Sequence, residues 1–446
     1  MQQVNTTVLP LLLERREKIF TADGGQRSCC PEQTLRKYAH LIGSSGLIKE
    51  FDRVQPDPFS LIQVQVARLH GVLGEGYGVT RALHSACSGT GITDAQARAS
   101  ALGEAVERYS GIFRGNEFRI KASYVELSDN AIHPNASMNF SPHQYRDRDR
   151  WNRIEAEYNW VPEPFDEGLE IEWTPVWSLT QPRVKYVATA LCYFGYPYSA
   201  GHDFCRPDSN GNAAGNNREE AILHGFFEVV ERDSVAVWWY NRTQRPRVEL
   251  GSFGDAYFQS IVELYRLLGR EMYVLDITAD FPIPTFAAIS RGKEMRGDWL
   301  LGFGAHLDPR IGIVKAITEM NQSLVSPSPR NMPRFYLGEL LDTAFLKPSS
   351  SLRAKILDDY SHWDSDDLGE DLRNCVELTR ERGLEILVLD QTRADTGMPA
   401  VKVMVPGMRS WWARFAHGRL YQVPVEMGWQ EVPLREDQLN PCHVFL

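Results

Sequence analysis

The pentapeptide EAVER at residues 104–108 returns as EVVER at residues 228–232, each time late in an apolar stretch with helical periodicity. In a helix, the two glutamates of each copy lie three residues apart and share one face with the following arginine. Charged side chains among so many apolar neighbours need ionic partners, a metal ion or a water-filled cavity. The repeated phrase therefore predicts a cation site built from two carboxylate-bearing helices.

Length and composition indicate an acidic globular protein. The chain has 446 residues, is 43% hydrophobic and carries a net charge of −10, which argues against broad nucleic-acid binding. No apolar run approaches the roughly 20 residues that span a bilayer, and residues 9–13 lack the flanks of a signal peptide. The seven cysteines show no CxxC spacing, which is typical of a reducing compartment. These features predict a cytoplasmic protein that binds neither nucleic acid nor membrane.

The chain shows the order strand, loop, helix twice. The first unit has a strand at 82–86, a glycine-containing loop at 87–92 and a helix at 94–113, which begins with the capping-box pattern of Thr93 and Gln96. The second unit has a strand at 186–194, a loop at 209–216 and a helix at 218–241, with Asn217 as its N-cap. The two units together suggest a weak internal duplication.

Other elements are less strongly patterned. A third unit has a strand at 299–306 and a helix near 312–324, and further strands are predicted at 62–67, 384–389 and 401–405. A helix is predicted at 34–48, and the segment 120–180 is predicted to be an insertion of mixed structure. We expect one large domain of the α/β (α+β) class at 61–446, ending in a short tail and preceded by an N-terminal extension at 1–60.

Both glycine-containing loops run into a helix N-terminus, where backbone N–H groups can bind an anion. Neither loop is a Walker A sequence or a dinucleotide fingerprint. Mg²⁺ prefers oxygen ligands and often binds through a few carboxylates and substrate phosphates. Glu220 and Glu231 lie about three helical turns apart, so one helix can place metal ions along a triphosphate. The alternative is a buried salt-bridge network that ties the two helices together.

Three motifs in this sequence resemble the hallmarks of the YcaO family. The first covers SGTGIT, QARASA and GEAVERYS at residues 88–110, and the second covers SNG, AGN, EEAI and EVVERD at residues 209–233. The third is Gly304-Ala305-His306 with Glu319 and Gln322. The pairs Gln144-Tyr145 and Arg150-Trp151-Asn152 resemble the subgroup that modifies ribosomal peptides during azole biosynthesis. The resemblance spans residues 60–430.

This resemblance implies a YcaO-type ATP-binding fold with mixed sheets, packed helices and no P-loop, and it implies ATP and Mg²⁺ as cofactors. The implied metal ligands are Glu104, Glu107, Glu220, Glu228 and Glu231. The implied ATP-binding residues are these five together with Ser88, Asn216, Arg232, Glu319 and Gln322. The implied catalytic residues are Glu228, Glu231 and Arg232.

Azoline-forming members of the family are cyclodehydratases. A Cys, Ser or Thr side chain of the peptide attacks the preceding carbonyl, the resulting oxygen accepts the γ-phosphoryl group of ATP, and loss of phosphate leaves a thiazoline or oxazoline. Metal ions and Arg232 would stabilise the charge that develops during this transfer. Thioamide formation, amidine formation and a non-catalytic scaffold role remain the alternatives.

The resemblance also implies partners, and the sequence departs from the family pattern in two places. The implied partners are a ribosomal precursor peptide, a separate leader-peptide-binding protein and a flavin dehydrogenase, within a homodimer or a larger complex. Thr90 stands where a lysine is common, so Arg98 or Arg81 is the expected substitute for its phosphate contact. The C-terminal residues 440–446 contain one proline, whereas many cyclodehydratases end in a proline-rich tail.

Overall fold

Antiparallel sheets surround one long, buried helix in this computed structural model. It describes residues 13–20, 26–54, 60–70, 86–154, 159–197, 203–292, 299–325, 343–361 and 365–444. The described helices are α1 (Pro31–Lys37), α2 (Asp94–Ser110), α3 (Tyr124–Leu127), α4 (Pro134–Met138), α5 (Pro142–Arg146), α6 (Arg148–Ile154), α7 (Thr189–Cys192), α8 (Arg218–Asn241), α9 (Ala256–Leu267), α10 (Pro309–Val325), α11 (Leu368–Glu381) and α12 (Arg419–Glu426).

The described strands form four sheets, and every ladder is antiparallel. They are β1 (Ile19–Phe20), β2 (Gln26–Arg27), β3 (Ile48–Arg53), β4 (Gln63–Leu69), β5 (Ala86–Gly91), β6 (Ile120–Ala122), β7 (Ile171–Ser178), β8 (Arg183–Ala188), β9 (Asn212–Ala214), β10 (Arg270–Asp276), β11 (Thr285–Gly292), β12 (Trp299–Ala305), β13 (Leu387–Asp390) and β14 (Ala400–Met404). The sheet orders are β1-β2, β3-β4-β5, β10-β11-β12 and β6-β7-β13-β14-β9, with β8 also paired to β7.

Helix α8 lies at the centre of the fold and is buried along most of its length. It begins at the predicted N-cap, since the Asn217 side chain accepts a hydrogen bond from the Glu220 N–H at 2.8 Å. Gly225 allows close approach to β14, because a Cβ there would lie 2.8 Å from Val403 Cγ2. The helix predicted at 218–241 is therefore confirmed, and close packing fixes its glutamates in place.

Two of the sheets share one design: the strand at the end of the sheet leads into a helix that packs on it. Strand β5 leads into α2 and strand β12 into α10. Both contacts are close because glycines face the helices. A Cβ on Gly89 would lie 2.1 Å from Ala101 N, and one on Gly304 would lie 2.1 Å from Gly312 O. The architecture thus repeats between the β5–α2 and β12–α10 units.

This repeat differs from the one predicted from the two pentapeptides. Helix α8 follows β9, which belongs to the six-stranded sheet and not to a three-stranded sheet like that of β5. The Glu-x-x-Glu-Arg sequence occurs on both α2 and α8 because the two helices supply glutamates to the same part of the molecule. The prediction of a duplicated strand–helix unit is correct for the third unit, around 299–325, and wrong for the second.

Two predicted loops were wrong for one physical reason. The predicted loop at 87–92 is mostly β5, and β9 occupies part of the predicted loop at 209–216. Their small residues serve close packing and not turns. The predicted strand at 82–86 falls outside the described residues, apart from Ala86. The predicted strand at 186–194 ends at Ala188 and continues as α7.

The N-terminal region packs closely on the rest of the described chain. The helix predicted at 34–48 is shorter, since α1 ends at Lys37 and β3 begins at Ile48. Strand β3 pairs with β4 on the other side of the expected boundary at residue 60. In the segment 120–180, the structure places several short helices and also β7, a strand in the middle of the six-stranded sheet. The division at residue 60 stays a prediction.

Candidate functional site

The edges of two strands anchor glutamates from three helices. Ser88 N–H donates to Glu104 Oε2 at 2.7 Å, and Phe303 N–H donates to Glu319 Oε2 at 2.6 Å, each across 16 residues of sequence. These two contacts occupy matching places in the two strand–helix units. Ala305 N–H donates to the third carboxylate, Glu231 Oε2 on α8, at 3.0 Å. Backbone groups therefore fix three of the predicted site carboxylates.

One side chain joins the two units directly. Gln322 on α10 donates from Nε2 to Ser88 Oγ on β5 at 2.7 Å. Because Ser88 also holds Glu104 through its N–H, the structure brings all three predicted residues together. Gln322 occupies the position in its unit that Glu107 occupies in the first, three residues after the anchored glutamate.

Three cations balance part of this negative charge. Arg108 pairs with Glu104, and Arg232 Nη2 lies 2.6 Å from Glu228 Oε1. Lys315 Nζ lies 3.7 Å from Glu231 Oε2. We call the five glutamates with these three cations the carboxylate cluster; its glutamates are Glu104, Glu107, Glu228, Glu231 and Glu319.

Burial is the main cause of the raised pKa values in the cluster, and neighbouring carboxylates add to it. Burial raises the pKa of Glu107 well above its usual value, and the charges of Glu228 and Glu104 raise it further. Burial also raises the pKa of Glu228, with Arg232 opposing the shift and Glu231 adding to it. For Glu319, burial and the charge of Glu231 raise the pKa to about 8. The cluster therefore favours the arrival of protons or further cations.

These raised pKa values predict that the metal-free protein becomes less stable as the pH rises. A carboxyl with a raised pKa in the folded state binds more protons than in the unfolded state, so its contribution to stability is lost as pH rises towards that pKa. For Glu319 the affected window runs from about pH 4.5 to about 8. We expect the free energy of unfolding, measured with urea in EDTA, to fall across this window by at most about 1.4 kcal/mol per pH unit for each such group.

The Glu319→Gln variant provides the control for this pH dependence. Its amide does not titrate but still accepts the Phe303 N–H through its oxygen. The variant should show a shallower fall in stability than the wild type. An equal slope in both proteins would contradict the raised pKa of Glu319.

Glu220 lies in a different environment from the cluster. Its Oε2 accepts from Ser28 N–H at 3.1 Å and from Ser28 Oγ at 2.7 Å, and its Oε1 accepts from Asn216 Nδ2 at 3.1 Å. Burial opposes ionisation, but the charge of Arg27 and the Ser28 hydrogen bonds outweigh it and lower the pKa of Glu220. Protein donors therefore already satisfy this predicted metal ligand. No local sequence pattern predicts that residues 27–28 contact α8.

The residues of the cluster fit Mg²⁺ and a polyphosphate. No group of three or more acidic, histidine or cysteine side chains within the described ranges could hold a metal ion on its own. Mg²⁺ commonly completes its coordination with phosphate oxygens and water, so a nucleotide would supply what the protein does not. Two buried polar atoms, Asn216 Oδ1 and Arg232 Nε, lack a hydrogen-bond partner in the described structure. Both belong to residues implied to contact the nucleotide.

Two residues of the site are not predicted by the sequence motifs. Lys315 was not proposed, although it lies four residues before Glu319 on α10 and so on the same helix face. The sequence motifs do not point to Trp411 either, and the Arg232 guanidinium lies 4.1 Å from the centre of its ring. Arg98, one expected substitute for the lysine absent at residue 90, is exposed and pairs with Asp94 at 2.9 Å, while Arg81 lies outside the described residues.

The chain is similar to a known protein family and to a curated relative. Residues 88–409 match the family model described as YcaO cyclodehydratase, ATP- and Mg²⁺-binding. An uncharacterized protein of Methanothermobacter thermautotrophicus is 31% identical over 406 residues, which cover 85% of this chain and 94% of that protein.

Two solved structures of heterocyclases are similar to this chain. A heterocyclase in complex with substrate and cofactor is 46% identical with a TM-score of 0.90, and the heterocyclase TruD is 43% identical with a TM-score of 0.75. The matches cover 98% and 97% of this chain, but only 60% and 55% of those two chains.

These matches confirm the predicted family and its fold. The description of the family as ATP- and Mg²⁺-binding confirms the two predicted cofactors. The two solved structures also agree with the heterocyclase subgroup inferred from the sequence. Among the described helices, none has both the length and the apolar character needed to cross a membrane. The roles of individual site residues and the cytoplasmic location stay predictions.

Proposed function

This chain belongs to the YcaO cyclodehydratase family, and we propose that it uses ATP to cyclodehydrate Cys, Ser or Thr residues of a ribosomal precursor peptide. The observation that carries the proposal is the carboxylate cluster, in which five glutamates from three helices lie with three paired cations of the described chain. The raised pKa values of Glu107, Glu228 and Glu319 support a site that is completed by added cations.

The proposed roles follow from where each side chain is held. Glu104, Glu107, Glu228 and Glu231 would hold Mg²⁺ against the phosphates, while Glu220 would help to orient Asn216 at the far end of the nucleotide. When bound, Mg²⁺ would neutralise phosphate charge and make the γ-phosphoryl group more electrophilic.

Arg232 is the proposed electrostatic catalyst. Glu228 and the Trp411 ring hold its guanidinium, so little reorganisation is needed when charge develops on the transferred group. Its Nε has no hydrogen-bond partner among the described residues, which leaves a donor for an incoming oxygen. Lys315, 43% exposed beside Glu231, is a second cation within reach of a phosphate.

The proposed reaction balances without a protein nucleophile. The peptide thiol or hydroxyl releases its proton to water as its sulfur or oxygen bonds to the preceding carbonyl carbon, and the former carbonyl oxygen takes the γ-phosphoryl group as ADP leaves. Departure of phosphate and loss of the amide proton then create the C=N bond of the azoline. The peptide thus loses one oxygen, which leaves in the phosphate, and two hydrogens, which leave as protons. Together these are the elements of one water.

The proposed partners follow from the family and from its solved relatives. We propose that the chain acts on a precursor peptide delivered by a leader-peptide-binding protein, in a homodimer or a larger complex, with a flavin dehydrogenase as the oxidising enzyme. One similar structure is a heterocyclase with substrate and cofactor bound, which supports a heterocyclase that holds its substrate and its cofactor together.

Mass spectrometry tests the reaction directly. The chain is incubated with Mg²⁺, the candidate precursor peptide and its candidate partner, with and without ATP. We expect an ATP-dependent loss of one water, about 18 Da, for each modified residue. Replacement of an oxygen by sulfur when sulfide is supplied would favour the thioamide alternative, and an unchanged peptide in the presence of bound ATP would contradict the proposal.

A further inference from the structure

Trp411, the ring on which Arg232 stacks, belongs to a segment between β14 and α12. We call residues 409–415 the Trp411 segment. The Arg232 guanidinium lies 4.1 Å from the Trp411 ring centre, and the Phe303 ring lies 6.1 Å from it, centre to centre. Phe303 is also the residue whose N–H anchors Glu319. The position of this one ring therefore bears directly on the Arg232 guanidinium and on the strand beside it.

Helix α8 holds the Trp411 segment through two side chains. The carboxylate of Asp233 accepts the Arg409 N–H through Oδ1 at 2.7 Å, and the Tyr240 hydroxyl donates to Trp411 O at 2.7 Å. Both side chains are buried, and both come from the helix that carries Arg232. One helix thus fixes the guanidinium and also the backbone of the ring on which the guanidinium stacks.

Ion pairs hold Asp233 itself in place. Arg419 donates to Asp233 from Nε at 3.1 Å and from Nη2 at 2.5 Å. It also donates to Asp280 from Nη1 at 2.9 Å and from Nη2 at 2.6 Å. The planar guanidinium matches both carboxylates, which restricts their orientation. In addition, Arg409 Nη2 donates to His417 O at 2.8 Å, so the chain around the Trp411 segment is also bonded to itself.

Gln144, one of the residues that resemble the azole subgroup, holds the same segment from α5. Its Nε2 donates to Ala413 O at 3.0 Å, and its Oε1 accepts the Phe415 N–H at 3.0 Å. The Ala413 N–H in turn donates to Asn159 Oδ1 at 3.1 Å. Gln144 is fully buried, so these hydrogen bonds are shielded from water. This motif residue therefore fixes the segment just beyond Trp411.

We propose that the Trp411 segment fixes the Arg232 guanidinium for phosphoryl transfer. Its positioning residues are Tyr240, Asp233 and Gln144. An aromatic ring attracts a cation placed over its face, and a cation that need not reorganise stabilises developing charge best. Small displacements of such a group are costly in rate. The inference rests on the proposed function and adds to it three residues that act through Trp411.

Tyr240→Phe tests the inference with little disturbance. The variant removes the hydroxyl that donates to Trp411 O and keeps the buried ring. We expect kcat for ATP hydrolysis, measured as phosphate release with Mg²⁺, to fall about three- to tenfold, as for the loss of one hydrogen bond. KM for ATP should stay within about twofold of the wild type, because Arg232 is proposed to act on the transition state.

Tyr273→Phe is the matched control. Tyr273 is also buried, and its hydroxyl donates to Leu346 O at 2.8 Å, outside the Trp411 segment. This variant should lose similar stability in urea but keep the wild-type kcat. Amide hydrogen exchange adds a readout that does not depend on activity. In the metal-free protein, peptides that cover residues 409–415 should exchange faster in Tyr240→Phe than in Tyr273→Phe or the wild type.

A double variant tests whether Tyr240 acts through the ring. Trp411→Leu should lower kcat at least as much as Tyr240→Phe, whereas Trp411→Phe, which keeps an aromatic face, should retain more of the rate. Adding Tyr240→Phe to Trp411→Leu should cause no further loss, because residues that act through one shared contact are not additive.

The outcomes separate the two proposals. The positioning role would be overturned by equal kcat values for Tyr240→Phe and Tyr273→Phe, by unchanged exchange over residues 409–415, or by additive losses in the double variant. Each of these results leaves the proposed function in place. A wild-type chain that neither binds a non-hydrolysable ATP analogue nor hydrolyses ATP would overturn the proposed function, and the positioning role with it.

Discussion

Glu231→Gln is expected to abolish ATP turnover while the chain remains folded. Glu231 is buried on α8, and its Oε2 accepts the Ala305 N–H at 3.0 Å. A glutamine keeps an oxygen for this hydrogen bond but removes the negative charge that would bind Mg²⁺. Loss of such preorganised electrostatic stabilisation should lower the rate of ATP hydrolysis by at least about 10²- to 10³-fold, measured as phosphate release under steady-state conditions.

A matched control is available on the same helix. Glu219 is also buried, and its Oε1 accepts the Glu14 N–H at 3.0 Å, but it lies outside the carboxylate cluster. Glu219→Gln should therefore retain wild-type turnover. If Glu231→Gln kept turnover near the wild-type rate, the cluster would not be the cation site. If Glu231→Gln unfolded, the glutamates and arginines would instead form a salt-bridge network that holds the helices together.

Gly89→Ala is expected to cause the largest loss of stability among simple substitutions in the β5–α2 unit. The added Cβ would lie 2.1 Å from Ala101 N and 2.2 Å from Ala97 O, and these are backbone atoms of α2 that cannot rotate away. Strand and helix must separate, which moves Ser88 N–H away from Glu104. We expect a loss of about 3 kcal/mol or more in the free energy of unfolding, measured by urea titration.

Gly103→Ala on the same helix provides the contrast. No atom lies within 4 Å of a Cβ built at Gly103, so the substitution meets open space. Alanine has the higher helix propensity, and the variant should be more stable than the wild type by about 0.5–1 kcal/mol. Equal stabilities for the Gly89→Ala and Gly103→Ala variants would show that β5 and α2 are not closely packed.

The site could be predicted from the sequence as far as local spacing determines it. A Glu-x-x-Glu-Arg phrase fixes which side chains share a helix face, and Asn217 marks where α8 begins. The family motifs then indicated the fold and the cofactors, both of which are confirmed. The glycines of β5 led to a wrong prediction. They suggested a loop, whereas in the structure they allow the strand to pack closely against α2.

Other features required the folded chain because they depend on contacts distant in sequence. The family resemblance implied Glu220 as a metal ligand just as it implied Glu231, yet Ser28 donates a hydrogen bond to Glu220 from 192 residues away. Glu231 instead meets Ala305 and Lys315 and remains in the cluster. Lys315 and Trp411 also belong to the site through contacts distant in sequence. They lie there because α10 and the segment after β14 pack beside α8.

The sequence by itself determined the helices that carry the carboxylates, the family and the need for ATP and Mg²⁺. Only the tertiary structure decided which strands anchor those carboxylates, which repeat is architectural, and which glutamate is already satisfied. The physical reason is that residue spacing fixes geometry within one helix. Charge compensation, burial and the pKa values of Glu107 and Glu319 depend instead on how separate elements pack against each other.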